Sequence, residues 1–310
     1  MTKHVVVTGG AGFIGSNIAD AYLARGWFVT IIDNLSTGKR RNVDPRAALH
    51  EIDIRDTAAG DLIRALKPDV ISHHAAQMDV RKSVADPAAD ADVNVIGTLR
   101  LLEAAVDAAV KRVIFASTGG AIYGDPVEVP QTESHPLNPL SPYGCAKLSV
   151  ERYLNYYRVV RGLSSVALRY ANVYGPRQNA HGEAGVVAIF AAKLLDNQQA
   201  TINGSGEQTR DFVYVDDVVA ANLAASDAEW QGEYNVGTGV ETTINELYDS
   251  LASIAGVETR ALHAPAKEGE QLRSVLDGSR LRTLANLPER KPLSEGLKET
   301  FEWFAKERAR

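Results

Sequence analysis

A tyrosine and a lysine lie four residues apart in the segment SPYGCAK, residues 141–147. Tyr143 and Lys147 stand at the start of a predicted helix, and Pro142 suits its first turn. Residues at this spacing share one helix face, so the two side chains are expected to lie together. A phenol normally titrates near about pH 10, and a neighbouring ammonium group favours the phenolate. The spacing therefore predicts a tyrosine that serves as a base, while Cys145 is expected to pack away from that face.

Three glycines in the segment TGGAGFIG separate the first predicted strand from the first predicted helix. Gly9, Gly12 and Gly15 permit a tight turn, a close approach to a pyrophosphate and close helix–strand contact. The next predicted strand ends in Asp33, which can bind a ribose and would repel a 2′-phosphate. The alternative is a glycine turn that serves only helix–strand packing and binds no nucleotide. The pattern predicts a bound dinucleotide, with NAD favoured over NADP.

Small and polar residues also follow other predicted strands. Asp53 and Ile54 come after the expected third strand and are placed to meet an adenine, with a plain turn as the alternative. The fourth strand ends in HHAAQ, at the carboxyl edge where ligands of such sheets bind. Adjacent histidines on a strand point to opposite faces and chelate poorly. We therefore predict no metal, and we interpret Ala75 and Ala76 as a wall against the cofactor.

Alternating strands and helices must position these residues. Apolar runs rich in β-branched residues predict strands at 4–9, 28–33, 69–76, 112–117 and 164–170. Helical patterns between them predict helices near 12–25, 61–66, 87–109 and 142–161. Apolar strands joined by helices are typical of a parallel sheet covered on both faces. The predicted fold class is α/β, with a Rossmann-like doubly wound parallel sheet.

The alternation weakens after residue 172. A helix is predicted near 186–197, and an irregular stretch is expected to reach the end of the chain. We predict an NAD-binding Rossmann domain over 1–172 that also receives 210–238. Residues 173–209 and 239–310 are expected to form a smaller C-terminal α/β region that binds the substrate.

The composition excludes several classes of protein. The chain has 310 residues, 45% of them hydrophobic and 23% charged, with a formal net charge of −6. Such a chain lacks the basic face that a nucleic acid or an anionic membrane surface requires. Its single cysteine, Cys145, allows no internal disulfide and fits a reducing compartment. Since neither a signal peptide nor a membrane-spanning segment is visible, a cytoplasmic protein is expected.

A series of motifs resembles the extended short-chain dehydrogenase/reductases, the group of NAD-dependent nucleotide-sugar epimerases and dehydratases. The motifs are TGGAGFIG, DNLSTG, DIRD, DVNVIGTLRLLEAA, STGGAIYG, SPYGCAK, LRYANVYGPRQ and GSGEQTRDFVYVDDVV, in this order. Within the group the sequence is most similar to the 4-epimerases of UDP-glucose and UDP-galactose. The resemblance implies bound NAD, a UDP-sugar substrate and a transient 4-keto sugar.

The resemblance also implies roles for individual residues. Tyr143 would be the base, Lys147 would hold the nicotinamide ribose, and Thr118, or alternatively Ser117, would bond to the sugar O4. Arg210 and Arg273 would bind the diphosphate, and a small residue at Ser274 would tolerate N-acetylated sugars. The cofactor-binding residues are Gly9, Gly12, Phe13, Ile14, Gly15, Asp33, Asn34, Ser36, Thr37, Gly38, Asp53, Ile54, His74, Ala75, Ala76, Gln77, Asn94, Ser117, Tyr143, Lys147 and Tyr170. The substrate-binding residues are Thr118, Tyr143, Asn172, Val187, Arg210, Arg273 and Ser274.

The residues after the hydroxyl pair distinguish between reactions. In the dehydratases that the sequence resembles, an Asp-Glu pair follows the hydroxyl and eliminates water from the keto sugar. Here Gly119, Gly120 and Ala121 follow, and Gly119 stands where many relatives have a hydroxyl. Without an acid–base pair the ketone can only take the hydride back, and the glycines would leave room for the sugar to turn first. The sequence therefore favours inversion at C4.

The resemblance further implies a homodimer that pairs through the helices near 87–109 and 142–161. Its face would include Ala104, Ala105, Val106, Tyr153, Leu154 and Tyr157, although these residues could equally pack against the sheet. Two other functions stay open. A UDP-glucuronate 4-epimerase, or a related sugar-nucleotide oxidoreductase, would use the same core chemistry. A non-catalytic NAD-binding regulatory protein would not require Thr118, Tyr143 and Lys147 together.

Overall fold

The computed structural model describes residues 2–180, 185–266 and 271–308. Its strands are β1 (His4–Thr8), β2 (Phe28–Asp33), β3 (Ala48–Glu51), β4 (Val70–His73), β5 (Arg112–Thr118), β6 (Ser165–Tyr170), β7 (Asn172–Tyr174), β8 (Thr201–Asn203), β9 (Thr209–Arg210), β10 (Phe212–Tyr214), β11 (Gly232–Val236), β12 (Thr242–Thr243), β13 (Leu262–Ala264) and β14 (Arg273–Ser274). Its α-helices are α1 (Phe13–Ala24), α2 (Thr57–Leu66), α3 (Val80–Ala85), α4 (Pro87–Ala91), α5 (Thr98–Asp107), α6 (Gly119–Ile122), α7 (Pro142–Arg161), α8 (Val186–Leu195), α9 (Val215–Asp227), α10 (Ile244–Ala255), α11 (Ser279–Ala285) and α12 (Leu293–Arg308). A π-helical segment, Asp92–Gly97, connects α4 to α5.

Seven of the described strands form one sheet in the order β3-β2-β1-β4-β5-β6-β11. Every pair in it is parallel. The chain builds outwards from β1 in one direction and then from β4 in the other, so a crevice opens at the carboxyl ends of these two strands. The structure thus confirms the predicted Rossmann-like doubly wound sheet.

Both faces of this sheet are buried, because successive residues of a strand point in opposite directions. Val5 and Val7 belong to one hydrophobic cluster, which Tyr22 of α1 and Ala221 of α9 also join. Val6 belongs to a second cluster, on the side of α2, α5 and α7. The uninterrupted apolar run in β1 therefore serves two separate cores, as parallel strands covered on both sides require.

Helix α7, which carries the tyrosine and the lysine, has clear ends. The Ser141 side chain accepts a hydrogen bond from the Gly144 nitrogen at 3.1 Å, and Pro142 is the first helical residue. Gly162 ends the helix in the left-handed conformation, at a φ of 70°. These bounds confirm the helix predicted over 142–161. The helix predicted near 87–109 is present as α4, the π-helical segment and α5.

Of the two alternatives for the six residues of the predicted dimer face, packing against the sheet applies to four. Ala104 and Ala105 of α5 are fully buried, and Leu154 and Tyr157 of α7 are 3% and 4% exposed. All four belong to the second cluster, under the sheet. Their apolar character is explained by packing within the chain itself.

The C-terminal part of the chain is regular, so the expectation of an irregular stretch is wrong. Helices α8, α10 and α12 share a third hydrophobic cluster, which includes Phe190, Leu247 and Leu297. A capping box starts α10: the Thr243 side chain accepts from the Glu246 nitrogen at 3.0 Å, and the Glu246 carboxylate accepts from the Thr243 nitrogen at 2.8 Å. This Thr-x-x-Glu pattern is visible in the sequence and marks a helix start.

The chain returns to the main sheet after residue 209. Helix α9 packs against α1, and β11 pairs with β6 from Gly232 opposite Val166 to Val236 opposite Tyr170. Just before α9, the short strand β9 lies between β12 and β14 in a small separate sheet. Within the described ranges, no helix is both long enough and apolar enough to cross a membrane.

Candidate active site

The turn between β1 and α1 brings backbone atoms very close together. Gly9 has a φ of +69°, and a Cβ there would lie 2.6 Å from the Ala75 nitrogen. A Cβ on Gly15 would lie 2.3 Å from the Gly9 oxygen. Gly12 stands at the N-cap and offers no side chain to the first N–H groups of α1, which begins at Phe13. The turn can therefore bring oriented N–H donors to a phosphate.

Asp33 is buried at the end of β2, and the backbone holds its carboxylate. Its Oδ2 accepts from the Ala11 nitrogen at 2.9 Å, and its Oδ1 accepts from the Leu35 nitrogen at 2.8 Å. A Cβ on Gly38 would lie 2.8 Å from Oδ1, so this glycine leaves the space that the carboxylate occupies. A fixed carboxylate beside a glycine turn can accept further hydrogen bonds from a ribose.

Asn34 and Asp53 connect the ends of β2 and β3. Asn34 donates from Nδ2 to Asp53 Oδ2 at 2.8 Å and accepts from the Ser36 nitrogen at 3.0 Å. The Arg55 guanidinium bonds to both Asp53 oxygens at 2.9 Å and holds the pKa of that carboxyl well below its usual range. The structure therefore brings predicted cofactor-binding residues of these two loops together.

The two histidines at the end of β4 are buried in separate polar surroundings. The His73 ring bonds to the hydroxyls of Thr8 at 2.6 Å and Thr98 at 2.9 Å, whereas the His74 ring bonds to the Ser72 hydroxyl at 3.0 Å. Burial lowers the pKa of each ring to about 3, so both are neutral near pH 7. In the described part of the chain, no three metal-ligating side chains come together.

Gln77 and Asn94 form a closed pair of hydrogen bonds beyond β4. The Gln77 nitrogen donates to Asn94 Oδ1, and Asn94 Nδ2 donates to the Gln77 oxygen, both at 2.9 Å. Both side-chain amides also donate to Oδ1 of Asp90, at 2.9 and 3.0 Å. Sequence reasoning identified Gln77 and Asn94 but missed Asp90, because only these tertiary bonds connect it to the site.

Tyr143 and Lys147 lie together, as their helical spacing predicts. Lys147 Nζ is 5.8 Å from the centre of the Tyr143 ring and donates to the Ala116 oxygen at 2.8 Å. Burial lowers the pKa of Lys147 to about 8, against the charges of Asp90 and Glu151, which raise it. Burial also raises the pKa of Tyr143, and the charge of Asp90 raises it further. The tyrosine is therefore a phenol near pH 7 unless further positive charge enters the site.

The hydroxyls of Ser117 and Thr118 have different surroundings, because neighbours on a strand alternate in direction. Ser117 is buried and donates its proton to Glu151 at 2.6 Å. Glu151 in turn accepts from Nε and NH2 of Arg169, at 3.0 and 2.7 Å. The Ser117 proton is thus already donated to Glu151, and the catalytic and cofactor-binding roles of this hydroxyl stay predictions. Of the two alternatives, Thr118 has the available hydroxyl.

Gly119 and Gly120 also differ, contrary to the expectation that both leave room for a substrate. A Cβ on Gly119 would lie 2.3 Å from Cδ1 of Leu276, so the leucine fills that space. A Cβ on Gly120 would meet Ser274 Oγ at 3.8 Å and Thr118 Oγ1 at 4.0 Å. Of these two glycines, only Gly120 has space between its backbone and the hydroxyls of Ser274 and Thr118.

Arg210 and Ser274 lie side by side on β9 and β14, in parallel register. Ser274 is buried, and its hydroxyl faces Gly120. Asn172 joins the same region, since its nitrogen donates to the Asp211 oxygen at 2.9 Å. Three of the predicted substrate residues therefore converge near the end of β5. Val187, by contrast, is 1% exposed inside the third cluster, so its side chain offers no contact to a substrate.

Arg273 is directed elsewhere. Its Nε and NH2 bond to the two carboxylate oxygens of Glu241 at 2.8 and 2.6 Å, and its side chain is 52% exposed. Because neighbours on a strand face opposite sides, Arg273 and Ser274 cannot both face Gly120. The contact of Arg273 with the diphosphate therefore stays a prediction, and it would require this guanidinium to leave Glu241.

Two remaining predictions concern Tyr170 and Cys145. Tyr170 is buried at the end of β6, and its ring stacks on His74 with centres 6.2 Å apart and planes 7° apart. It therefore borders the same crevice as β4. Cys145 is exposed on α7, so the expectation that it is packed is wrong.

Sequence reasoning also missed Glu151 and Arg169. Glu151 lies four residues after Lys147, which itself lies four after Tyr143, so all three share one face of α7. This spacing was the signal that could have identified the glutamate. Arg169 carries no such signal within its strand.

Comparisons with known proteins agree with this geometry. Residues 5–237 match the NAD dependent epimerase/dehydratase family. The chain is 44% identical over 307 residues to a UDP-glucose 4-epimerase of Mycolicibacterium smegmatis, in a match that covers 97% of this chain and 98% of that protein. It is similar to the structure of a Thermotoga maritima UDP-glucose 4-epimerase with UDP-glucose, at a TM-score of 0.96 and 44% identity, covering 98% and 99% of the two chains. A UDP-glucose 4-epimerase of Thermus thermophilus in complex with NAD is similar at a TM-score of 0.92 and 43% identity, covering 97% and 99%.

Proposed function

Since the chain belongs to the NAD-dependent epimerase/dehydratase family, we propose that it inverts C4 of a UDP-hexose and interconverts UDP-glucose and UDP-galactose. One observation carries the proposal. Lys147 Nζ lies 5.8 Å from the Tyr143 ring, close to β5, whose last residue is followed by two glycines without an acid or a base. This arrangement suits removal and return of a hydride at an alcohol carbon.

The first β–α unit and its neighbours fit NAD. The cradle at Gly9 and Gly15, which a Cβ would fill, and the start of α1 suit a pyrophosphate. Asp33 suits an unphosphorylated ribose. When bound, NAD would accept a hydride from the sugar C4 and give it back. Lys147 would bind the nicotinamide ribose, and Gln77 and the other residues at the end of β4 would form a wall beside it.

Tyr143 is the proposed base. The O4 proton passes to its phenolate oxygen when the C4–H bond breaks, and the same proton returns to O4 in the reverse step. Lys147 and the positive charge of a bound cofactor would stabilise the phenolate and would offset the effects of burial and of Asp90 on its pKa. The Thr118 hydroxyl would bridge O4 and the phenolate.

The surroundings of Gly120 favour epimerisation over elimination of water. Gly119, Gly120 and Ala121 carry no group that could protonate or deprotonate C5 or C6. The space that Gly120 leaves beside Ser274 and Thr118 would let the keto sugar turn about its diphosphate link. The hydride then returns to the opposite face of C4, and the configuration is inverted.

The proposal extends to the N-acetylated pair, UDP-GlcNAc and UDP-GalNAc. Ser274 is a small residue that faces a glycine, so the volume between them is larger than a bulky side chain would leave. Arg210, next to Ser274, has the fork of donors that a diphosphate requires. We assign the binding of the UDP part to the smaller region formed by residues 173–209 and 239–310, with residues 1–172 and 210–238 as the NAD-binding domain.

A homodimer is proposed through α7 and the helices α4 and α5, with a corrected contact face. Tyr153, Tyr156, Val159 and Val160 of α7 are 42%, 44%, 72% and 63% exposed. A group of exposed apolar side chains on one helix is typical of a surface that another protein covers. We propose that a second copy covers it, and that the enzyme works in the cytoplasm, where its single cysteine would stay reduced.

The test is to incubate the purified protein, without added cofactor, with UDP-galactose and separately with UDP-GalNAc. Products are resolved by chromatography, and any bound nucleotide is released and identified. The proposal expects the C4 epimer of each sugar and bound NAD. Tyr143→Phe should retain the nucleotide and lose turnover by about 10²- to 10⁴-fold. A 4-keto-6-deoxy product would contradict epimerisation, and turnover of UDP-glucuronate alone would change the substrate assignment.

A further inference from the structure

Asp90 is a buried carboxylate without a cation in hydrogen-bond contact. It is 2% exposed on α4. Its Oδ1 accepts from Gln77 and Asn94, but its Oδ2 is buried without a hydrogen-bond partner. Among the described residues, no lysine or arginine forms a salt bridge with it. Because an unpaired buried carboxylate is costly, a cationic group that lies farther away would stabilise its charged form.

The helix that carries the tyrosine and the lysine supplies that group. Helix α4 packs directly against α7, and Asp90 on the first helix and Lys147 on the second are both buried. Lys147 is 4% exposed, and its ammonium group donates to a backbone oxygen rather than to a carboxylate. Burial lowers the pKa of Lys147, and the Asp90 charge opposes that shift. Burial raises the pKa of Tyr143, and the Asp90 charge adds to that rise.

The other charged or titratable groups around Lys147 are already balanced or neutral. Glu151, on the same face of α7, is paired with Arg169 of β6 at 2.7 Å. His73 and His74 of β4 have pKa values lowered by burial to about 3, so they carry no charge near pH 7. In the described part of α4 and α7, Asp90 and Lys147 are therefore the buried charged residues that have no salt-bridge partner.

We infer that Asp90 is a positioning residue that serves as the distant counter-ion of Lys147 and fixes the protonation of the Tyr143–Lys147 pair. The inference rests on the proposed function. With Lys147 and Asp90 in balance, the buried site is neutral when Tyr143 is protonated and carries a single negative charge when it is a phenolate. The same carboxylate fixes Gln77 and Asn94 through Oδ1. Asp90 therefore acts both on the protonation of Tyr143 and Lys147 and on the position of Gln77, beside which the cofactor would lie.

The test compares Asp90→Asn with Asp92→Asn. Asparagine keeps an oxygen for Gln77 and Asn94, removes the negative charge and places an NH2 group where the unpartnered Oδ2 lay. Asp92 is the matched control, because it lies two residues away, is 50% exposed and pairs with Arg55 at 3.2 Å. The pH dependence of kcat/KM for UDP-galactose is measured for all three proteins. The ultraviolet absorbance of the Tyr143 phenolate is also measured as a function of pH, in each protein loaded with NAD. The absorbance of the corresponding Tyr143→Phe protein is subtracted.

Loss of the Asp90 charge should move both limbs of the activity profile to lower pH, each by about one unit. The alkaline limb moves because Lys147 loses its proton more easily, and the acid limb moves because the phenolate forms more easily. The phenolate absorbance should shift with the acid limb, and Asp92→Asn should shift neither. Unchanged limbs and absorbance in Asp90→Asn, or equal shifts in Asp92→Asn, would overturn the inference. If no UDP-hexose is turned over, the proposed function fails, yet the phenolate titration still decides the role of Asp90.

Discussion

Replacement of Arg169 by methionine should remove a large part of the stability of the protein. The Arg169 guanidinium bonds to Glu151 at 3.0 and 2.7 Å, and the two side chains are 4% and 1% exposed. Glu151 also accepts the Ser117 proton at 2.6 Å. Arg169→Met keeps an unbranched apolar stem but leaves the Glu151 charge in the core with one remaining hydrogen bond, from the Ser117 hydroxyl.

The expected cost follows from that burial. Removal of one partner from a buried ion pair costs about 3–5 kcal/mol, because the other charge stays buried and unpaired. For a chain of 310 residues, the average unfolding entropy converts this cost into a fall in Tm of about 5–8 °C. An exposed pair provides the matched control. Lys3 and Asp227 lie 2.6 Å apart and are 52% and 45% exposed, so Lys3→Met should cost about 0–1 kcal/mol.

Urea unfolding followed by circular dichroism measures these differences. The double variant Glu151→Met with Arg169→Met should recover much of the loss, because it removes both buried charges. The Ser117 hydroxyl would then lack its acceptor, at a cost of about 1–3 kcal/mol. A loss in Arg169→Met no larger than that in Lys3→Met would refute the reasoning, and so would a double variant less stable than Arg169→Met.

Three further predictions concern the same region. Gly119→Ala should lower the free energy of unfolding by about 1–3 kcal/mol, because its Cβ would overlap a buried leucine, whereas Gly120→Ala should leave it unchanged in the same urea assay. His73 has a folded pKa lowered to about 3, so its contribution to stability is present above about pH 6.5 and is lost as the pH falls towards 3. Unfolding free energies measured below neutral pH should fall by about 1.4 kcal/mol per unit for this histidine, and a flat profile would contradict its burial as a neutral ring. Ser274→Tyr should reduce turnover of UDP-GalNAc at least about tenfold relative to UDP-galactose, and an unchanged ratio of the two rates would contradict the role given to this position.

The features that the sequence could predict are those that depend on local spacing. The parallel sheet follows from apolar runs such as the one in β1, and these runs need no knowledge of distant residues. Tyr143 and Lys147 lie together because the helix repeats every 3.6 residues or so. Gly9 and Gly15 were identifiable because their neighbours along the chain already define the turn. In each case the residues that give the signal lie within one secondary-structure element or one turn.

The features that the sequence could not predict depend on contacts between distant segments. Leu276 fills the space beside Gly119, although the two residues are far apart in the chain. The sequence shows a hydroxyl at Ser117 but does not show that Glu151 accepts its proton. Arg273 is held by Glu241 on another element. In each case the residue type suits the predicted role, but a residue distant in the sequence contacts the group or fills the space that the role would use.

The central claim is that one hydride leaves C4 and returns to the opposite face of the same carbon. UDP-galactose that carries deuterium at C4 tests this claim most directly, with the position of the label in the product read by NMR and mass spectrometry. The account predicts UDP-glucose that keeps the deuterium at C4, with no hydrogen taken from water at C4 or C5. Loss of the label to water, or solvent hydrogen at either carbon, would show that a proton rather than a hydride is exchanged, and the assignment of Tyr143, Lys147 and Thr118 would be contradicted.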